Sequence, residues 1–461
     1  MGWRGTGAVP AVCAKFGSVS HDSAMRPVKP MRLLAASGML GYGYSVAAFA
    51  QPVENIRWVV IVYVLTYASL LLGFGRLADL FGHRRVFVAG IAWCLGALTL
   101  CSLAADFQTL LAARVAQGVG SALVLATGPA LVTLSLPPEQ RTRGVGVYSF
   151  AFAAAATVGP IAGGALVQLF GWSAVFWFRI PVALVALLMT LALVPAAPRG
   201  AGGGRLDPVT GLALAAGLAA LLLALAQGGH FGWSSALTLG LAAGGIALLA
   251  LFVRRQRDPQ RQVIDLVLFR RRAFAVANAC HVLLNAAIFM VMLFVPFYLT
   301  RSYGDSGGML LALAPLGYAL GAPIATRVLA RHAPDTVAIG GLALSALALA
   351  GIALWPERAA PAWIAAVLLA QGIGYGLFQV VVMDRVMGTL SRTHQGVAGS
   401  LNMVTRTVGV VLGASAGSAL FAALTAQGFM AAFSGVFHAA WVLNALALLL
   451  MAGAGRLRRA I

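Results

Sequence analysis

The chain has 461 residues, of which 61% are hydrophobic and only 10% are charged, and its mean hydropathy is +0.90. A soluble globular protein carries about 25% charged residues, so the composition excludes that class. Lys and Arg number 32 against 12 Asp and Glu, which gives a net charge of +20. The basic residues flank long apolar runs, which indicates anionic lipid headgroups rather than nucleic acid as their partner.

Apolar runs of about 20 residues recur along the whole chain, which is the length of helix that crosses a bilayer. Helices satisfy their own backbone hydrogen bonds in lipid, and the runs lack the alternating pattern of a membrane β-barrel. We therefore predict an all-α integral membrane protein with fourteen transmembrane (TM) spans. The predicted spans lie near 33–51, 57–76, 86–105, 108–134, 144–169, 173–194, 209–228, 234–253, 273–299, 308–328, 336–355, 361–383, 397–425 and 430–453.

The distribution of basic residues predicts the orientation. With the N-terminus in the cytoplasm, about 26 of the 32 Lys and Arg residues fall in the N-terminal tail, the even-numbered loops and the C-terminus. This asymmetry predicts a multi-pass protein of the plasma (inner) membrane with both termini cytoplasmic. Residues 1–31 would form a basic cytoplasmic tail without the apolar core of a signal peptide.

Two sequence motifs recur at the same offset of 254 residues: AQGVGSAL at 116–123 returns as AQGIGYGL at 370–377, and GPIAGG at 159–164 has a weaker echo in GASAGS at 413–418. The repeat predicts two related six-helix halves with two additional helices between them. The predicted boundaries are 32–196 for the N-terminal half, 197–258 for the linker with its two helices, and 259–461 for the C-terminal half. Two like halves around a central cavity are typical of secondary transporters.

The segment GRLADLFGHRR concentrates charge in the short loop between the second and third spans. Gly75 and Gly82 allow a close helix approach and a tight turn. Asp79 can accept hydrogen bonds at the start of the following helix or pair with an arginine, while Arg84 and Arg85 stay at the inner membrane interface. The segment is therefore predicted to act as a conformational latch.

The pattern G-x-L-A-D-x-F-G-x-R-R of this segment resembles the signature loop of the major facilitator superfamily. Three further stretches resemble family motifs, namely the fourth-helix motif, the fifth-helix motif associated with antiporters, and the thirteenth span of the fourteen-helix drug:proton antiporters. The matching residues are Arg114 and Gln117; Gly159, Pro160, Gly163 and Gly164; and Asn402 and Arg406. The resemblance covers about residues 32 to 455.

The resemblance implies two pseudo-symmetric six-helix halves plus two inserted helices, which rock about a substrate site at the membrane midplane. It also implies export of amphipathic or hydrophobic small molecules in exchange for protons, as in multidrug efflux, by a functional monomer. Two residues depart from the family loop: Leu80 stands where relatives usually carry an arginine, and His83 stands where another basic residue is common. The matching loop of the second half, 327–334, lacks the acid and the glycines, so any latch there must be asymmetric.

Proton coupling has little support from acidic residues, because no Asp or Glu lies deep in any predicted span. Gly43 and Ala48 occupy the first-span positions where the subfamily often carries an Asp and an Asn. Arg114 lies inside the fourth span, where a charge costs about 2.5 to 3.5 kcal/mol unless it faces the bundle or a wet cavity. Three roles remain open for Arg114: proton transfer or coupling, a structural contact with backbone carbonyls and Gln117, or binding of an anionic substrate.

Asn278, His281 and Asn285 in the ninth span are spaced i, i+3, i+7 and share a helix face. The histidine is a candidate to replace the missing carboxylate, because histidine titrates near neutral pH. The alternative is a polar stripe that bonds neighbouring helices. Tyr63 and Tyr67 also share a face and either line an aromatic cavity or pack in the core.

The GPIAGG stretch has two interpretations. Pro160 lets the helix bend, and Gly159, Gly163 and Gly164 permit close packing against a neighbour. In one interpretation the stretch is a pliable gate that prevents ion leak, and in the other it is simply a packing surface.

Two alternatives to proton-coupled export remain: a metabolite uniporter or importer that is not coupled to protons, and a membrane sensor that does not transport. We expect no enzyme activity, because the sequence shows no P-loop, no metal-spaced cluster and no nucleophile motif. The expected partners are a small-molecule substrate and the bilayer, without nucleic acid. We expect no cofactor and no metal, with the proton gradient as the energy source.

Overall fold

The structure is a computed structural model that describes residues 56–137, 140–194, 207–258, 263–264, 266–303, 308–390 and 394–459. Within these residues the chain forms helices and no strand. The first predicted span, 33–51, lies outside the described residues, as do Gly43 and Ala48.

The helices before the second half run in sequence order with short connections. They are α1 (Ile56–Phe81), α2 (His83–Ser102), α3 (Phe107–Leu134), α4 (Arg141–Phe170), α5 (Ala174–Trp177), α6 (Arg179–Leu193), α7 (Pro208–Phe231) and α8 (Ala236–Arg255). The short α5 and the longer α6 together form one apolar span.

The helices of the second half follow a 3-10 turn at Leu266–Arg270. They are α9 (Arg272–Tyr303), α10 (Gly308–Leu311), α11 (Leu313–Leu329), α12 (Pro334–Ala353), α13 (Pro361–Thr389), α14 (Gln395–Leu424) and α15 (Phe429–Arg459), with a 3-10 turn at Thr425–Gln427 between the last two. The span predicted near 308–328 is thus two helices separated by Ala312.

Eleven segments of the described residues are long and apolar enough to cross a membrane, and α11 is a shorter apolar helix. Their mean hydropathies of 1.5 to 2.3 agree with the apolar runs from which the spans were predicted. The predicted class, an all-α integral membrane protein, is confirmed.

Glycines of the repeated motif make equivalent contacts in the two halves. A Cβ at Gly118 would lie 2.7 Å from Thr66 of α1, and a Cβ at Gly120 would lie 2.6 Å from the Sγ atom of Cys94 in α2. At the matching positions, Gly372 faces α11 and Gly374 faces α12, where added Cβ atoms would lie 2.0 Å and 2.6 Å from backbone oxygens. The motif therefore lets α3 and α13 approach two neighbours closely, as small residues do between membrane helices.

The two halves meet along a few helices. Helices α1 and α3 pack against α14, and α4 packs against α11 and α13. The inserted helix α7 contacts both α1 and α14, and the Ser415 hydroxyl of α14 donates to the Leu225 carbonyl at 2.6 Å. We call the end of the bundle where α1 meets α2 and α13 leads into α14 the basic end, because the arginine-rich segment after α8 lies there, and the opposite end the neutral end.

Candidate functional site

Asp79 links the two halves at the basic end. Its carboxylate accepts hydrogen bonds from the backbone N–H groups of Gly396, at 2.7 Å, and Val397, at 3.2 Å, in the first turn of α14. The side chain is buried and also lies 3.1 Å from Nε2 of His83. A carboxylate at a helix N-terminus satisfies free N–H groups and interacts favourably with the helix dipole.

The sequence placed this carboxylate at the start of the following helix or against an arginine, and both placements are wrong. Helix α1 continues through Asp79 to Phe81, so Asp79 lies inside α1 and does not cap α2. Gly82 takes the N-cap position of α2 instead and provides no capping side chain. Asp79 is therefore directed toward α14, across the boundary between the halves.

Gly75 and Gly82 provide the close helix approach and the tight turn that were predicted for them. A Cβ at Gly75 would lie 2.5 Å from the Gly396 carbonyl oxygen and 2.2 Å from the Ser400 hydroxyl, so only glycine allows this approach of α1 to α14. Gly82 has φ of +96°, a conformation that L side chains rarely adopt. Arg84 donates to the Leu191 carbonyl at 2.9 Å within its own half.

A second contact between the halves lies at the same end. Nε of Arg141, at the start of α4, is 3.0 Å from Oδ1 of Asp384, near the end of α13. The Thr133 hydroxyl donates to Oε1 of Gln395 at 3.2 Å, which adds a third contact. The described halves are therefore held together at the basic end. The acid of the second half comes from α13, not from the 327–334 loop, so the arrangement is asymmetric as predicted.

Arg114 is almost completely buried, at 1% exposure, in the first half. Its Nε donates to the Val59 carbonyl at 2.9 Å, and its Nη1 donates to Oε1 of Gln117 at 2.5 Å. The guanidinium carbon lies 4.1 Å from the ring centroid of Tyr63, a cation–π distance. These contacts agree with the structural interpretation of Arg114 and Gln117.

His281 on α9 joins three helices of the second half. Its Nε2 lies 2.7 Å from Oε1 of Gln379 on α13, and its Nδ1 lies 2.8 Å from the Thr405 hydroxyl on α14. The amide oxygen can only accept, so this assignment of the amide places a proton on Nε2. The Thr405 hydroxyl also lies 3.0 Å from the Leu401 carbonyl, so it can donate to that carbonyl and accept from Nδ1. The hydrogen bonds therefore suit the neutral and the charged imidazole.

The other two residues of the polar stripe are also buried. Asn285 donates to the His281 carbonyl at 2.7 Å, and its Oδ1 accepts from the Tyr375 hydroxyl at 3.0 Å. Asn278 donates to the Phe274 carbonyl at 2.9 Å, one turn earlier on the same helix. Asn402 accepts from Nε2 of Gln379 at 3.3 Å, which extends the His281 network to α14.

Arg406 on α14 lies where the two halves face each other. Its guanidinium carbon is 4.3 Å from the ring centroid of Phe152 on α4. Four phenol groups lie close enough to interact with the guanidinium electrostatically, and we call them the tyrosine cluster: Tyr67, Tyr148, Tyr318 and Tyr375. Arg114 lies within the first half and Arg406 at the boundary between the halves, so the two arginines belong to separate sites.

Sequence reasoning found Tyr67 and Arg406 but missed Tyr148, Phe152, Tyr318 and Tyr375. One available signal was the 254-residue repeat, which aligns Tyr375 with Ser121 of the first half. An aromatic side chain in place of a hydroxymethyl group, inside an otherwise similar motif, marks a position where the halves differ. The rings of Tyr63 and Tyr67 share a face as predicted, with centroids 5.2 Å apart.

The two interpretations of the GPIAGG stretch, a pliable gate and a packing surface, both remain predictions. A Cβ added at Gly159 or Gly163 would meet no atom of the described residues within 4 Å. The close contact of α4 lies nearer its start, where a Cβ at Gly146 would lie 2.4 Å from the Thr326 side chain of α11. Helix α4 therefore approaches the second half closely at the basic end.

Comparison with known proteins identifies the family. The sequence profile described as Major Facilitator Superfamily matches residues 30–209, 208–414 and 277–459. The chain belongs to the Major Facilitator Superfamily, as the motifs predicted, and is therefore a membrane transporter.

Three curated relatives align over most of their length. The tetracenomycin C resistance and export protein of Streptomyces glaucescens is 28% identical over 83% of this chain and 74% of its own. The riboflavin transporter RibZ of Clostridioides difficile is 27% identical over 82% of both chains. The multidrug efflux pump LfrA of Mycolicibacterium smegmatis is 29% identical over 82% of this chain and 77% of its own.

Among solved structures, the human organic anion transporter MFSD10 (TETRAN) superposes with a TM-score of 0.65 at 16% sequence identity. The match covers 92% of this chain and 96% of that chain. At this identity the likeness shows the fold alone.

Proposed function

We propose that this transporter exports amphipathic small molecules from the cytoplasm in exchange for protons, as a fourteen-helix drug:proton antiporter. The observation that carries the proposal is the closure of the basic end by the contacts of Asp79 and Arg141 with the second half. The loop arginines support an orientation in which this end faces the cytoplasm. Relatives at 27 to 29% identity include proteins named for export, resistance and efflux.

Alternating access follows from the kind of contact at the basic end. Two backbone N–H groups on one carboxylate and one charge pair hold the halves together there. Water can replace such polar contacts when the halves separate, although the halves also share an apolar core that would have to part with them. Breaking them would open the path between α1, α4, α11 and α14 to the cytoplasm. The predicted halves, 32–196 and 259–461, would move as the two lobes.

The fourteen-helix assignment combines the structure with the sequence. When α5 and α6 are counted as one span, and α10 and α11 as another, the described residues hold thirteen spans. A further span at 33–51 would complete fourteen, with α7 and α8 as the inserted pair.

His281 is the residue we propose to carry the proton. The twelve acids of the sequence lie in loops or near the ends of spans, while His281 lies within α9 at 0% exposure. Its hydrogen bond to Thr405 places it next to Arg406 on α14, the helix whose start is held by Asp79. A change of charge at His281 would therefore act on the helix that bridges the halves.

The test uses purified transporter in proteoliposomes with an imposed pH gradient and a panel of amphipathic compounds. A transported compound should dissipate the gradient in the wild type. His281→Gln keeps hydrogen-bonding capacity but cannot titrate, so it should abolish proton movement. His438→Gln is the matched control, since His438 is exposed on α15 and hydrogen-bonds only within its own helix turn.

Other outcomes would identify the alternatives. Compound flux that is indifferent to the pH gradient would indicate a uniporter or an importer without proton coupling. Binding without flux under any gradient would indicate a sensor. Gradient dissipation by His281→Gln at the wild-type rate would contradict the role of His281 while leaving transport intact.

A further inference from the structure

Arg406 places a positive charge at the centre of the molecule, and the described residues place no negative charge against it. Arg406 is the twelfth residue of α14, so it lies about 16 Å along the helix from its start, near the middle of a hydrocarbon layer about 30 Å thick. No Asp or Glu of the described residues pairs with its guanidinium, and no described residue accepts a hydrogen bond from it.

The groups around Arg406 come from both halves of the molecule. Phe152 and Tyr148 lie on α4 and Tyr67 lies on α1, whereas Tyr318 and Tyr375 lie on α11 and α13. Tyrosine is neutral near pH 7, so these side chains offer dipoles and ring faces but no full negative charge. A lone cation in a membrane interior is costly, and such residues usually serve a function.

The site keeps accessible surface although it lies at mid-membrane depth. Arg406, Tyr67, Tyr148 and Phe152 are only partly buried, while Tyr375 is 4% exposed. Tyr67, Tyr148 and Phe152 pack against the core that both halves share, so the exposed part of this group lies at the boundary between the halves. At the basic end this boundary is closed by the contacts of Asp79 with α14.

Aromatic rings of the second half complete the surroundings of Arg406. The rings of Tyr318 and Tyr375 meet edge to face, with centroids 4.8 Å apart. The Tyr375 hydroxyl donates its proton to Asn285, so its oxygen can still accept a hydrogen bond but has no proton for a ligand. The arginine is thus the group in the cluster that is best suited to hold an anion, because its planar guanidinium matches a carboxylate through two parallel hydrogen bonds.

We propose that Arg406 binds the anionic group of the substrate, and that the preferred substrates are organic monoanions with an aromatic or apolar body that packs against the tyrosine cluster and Phe152. This inference rests on the proposed function, because it names the substrate class of the same transporter. It assigns Arg406 to substrate binding and leaves Arg114 a structural residue of the first half.

The test uses three ligands that share one ring system and differ in charge: 2-naphthoate, 2-naphthamide and 2-naphthylmethylammonium. Binding to the detergent-purified transporter is measured by the shift in unfolding temperature and by titration. The wild type should prefer the anion to the amide, and the amide to the cation. This order requires no variant, so it tests the inference even if a substitution disturbs folding.

Substitution of the arginine then locates the anion site. Arg406→Gln should weaken 2-naphthoate binding at least about tenfold, because a charge-assisted hydrogen-bonded pair is lost, and should leave 2-naphthamide binding nearly unchanged. Arg406→Lys should restore part of the affinity, since the charge remains but the fork geometry does not. Arg358→Gln is the matched control, because Arg358 also lies over a tyrosine ring, 5.6 Å from that of Tyr303, but outside the site.

The inference is overturned if the wild type prefers the cation or the amide, if it does not bind 2-naphthoate, or if Arg406→Gln binds all three ligands as the wild type does. Counterflow of radiolabelled 2-naphthoate in proteoliposomes separates this inference from the proposed function. Binding through Arg406 without counterflow would support the anion site and contradict transport. Flux of neutral or cationic compounds without anion binding would support transport and contradict the anion site.

Discussion

At the scale of single residues, the latch depends on two different properties of one short segment. Asp79 provides acceptors for two N–H groups of α14, and Gly75 provides the space that lets α1 reach them. The sequence indicated both residue types, because an acid and a glycine four positions apart share a helix face. It did not indicate the partner, which lies 317 residues away from Asp79 along the chain.

Gly75→Ala should shift the transporter away from the arrangement that is closed at the basic end. The added methyl group would lie 2.5 Å from the Gly396 carbonyl oxygen and 2.8 Å from its carbon, and a helix backbone cannot move aside as a flexible side chain can. We expect more rapid labelling of a cysteine placed at Thr326 of α11, which contacts Gly146 of α4, in a chain whose four cysteines are replaced, and several-fold slower transport.

Gly73→Ala is the matched control for this prediction. It lies on the same helix, and a Cβ there would meet no atom of the described residues within 4 Å. Equal labelling rates in the Gly73→Ala and Gly75→Ala proteins would show that the close contact at Gly75 does not hold the halves together.

At the scale of helices, α7 and α8, the pair predicted to be inserted between the halves, pack together as a hairpin. The helices approach closely where a Cβ at Gly217 would lie 3.2 Å from the Gly245 carbonyl. The start of α7 and the end of α8 meet at Asp207. Its carboxylate accepts hydrogen bonds from the Thr210 hydroxyl at 2.6 Å and from Nη2 of Arg255 at 2.7 Å. The hydrogen bond from Thr210 and the pairing with Arg255 lower the pKa of Asp207 to about 2.

This lowered pKa predicts how the hairpin responds to acid. A carboxyl group with a lower pKa in the folded state stabilises the fold above its unfolded pKa of about 3.9, and the contribution is lost as the pH falls toward the folded value of about 2. Asp207→Asn should therefore unfold at a lower temperature than the wild type at pH 7, and the difference should shrink by pH 3.

Thermal unfolding in detergent at the two pH values measures this effect. Glu357→Gln serves as the control, because Glu357 is an exposed residue in the turn between α12 and α13. A pH-independent deficit for Asp207→Asn would mean that the lost hydrogen bonds, rather than the charge, account for its contribution.

The helices themselves could be predicted from the sequence, because the length of an apolar run fixes where a chain crosses a bilayer. The break at Ala312, which divides the tenth predicted span into α10 and α11, was not predicted. The run there is apolar throughout, so hydropathy contains no signal for the break. Packing of Gly317 and Gly321 against α13 instead determines where α11 lies.

At the scale of the whole molecule, the 254-residue repeat predicted two related halves, and equivalent glycines of α3 and α13 make equivalent contacts. The central site was harder to predict, because its residues come from five helices of both halves. Tyr148 and Tyr318 lie in no motif that marks them, and only the fold brings them to Arg406. The sequence thus located the segment that joins the halves at the basic end, whereas of the tyrosine cluster it marked only Tyr67.

The central claim is that the arrangement closed at the basic end is one of two states between which the halves alternate. The most direct test is a distance measurement between spin labels at Arg143 of α4 and Arg331 after α11, both exposed at that end, in a chain whose four cysteines are replaced. The double variant Asp79→Asn with Asp384→Asn removes both charged contacts, and Asp106→Asn, which alters a cap within the first half, is the control.

We predict a dominant short distance in the wild type and in Asp106→Asn, and a second population longer by several ångströms in the double variant. An unchanged single distance in the double variant would contradict the claim, because the halves would then be held together by something other than these contacts.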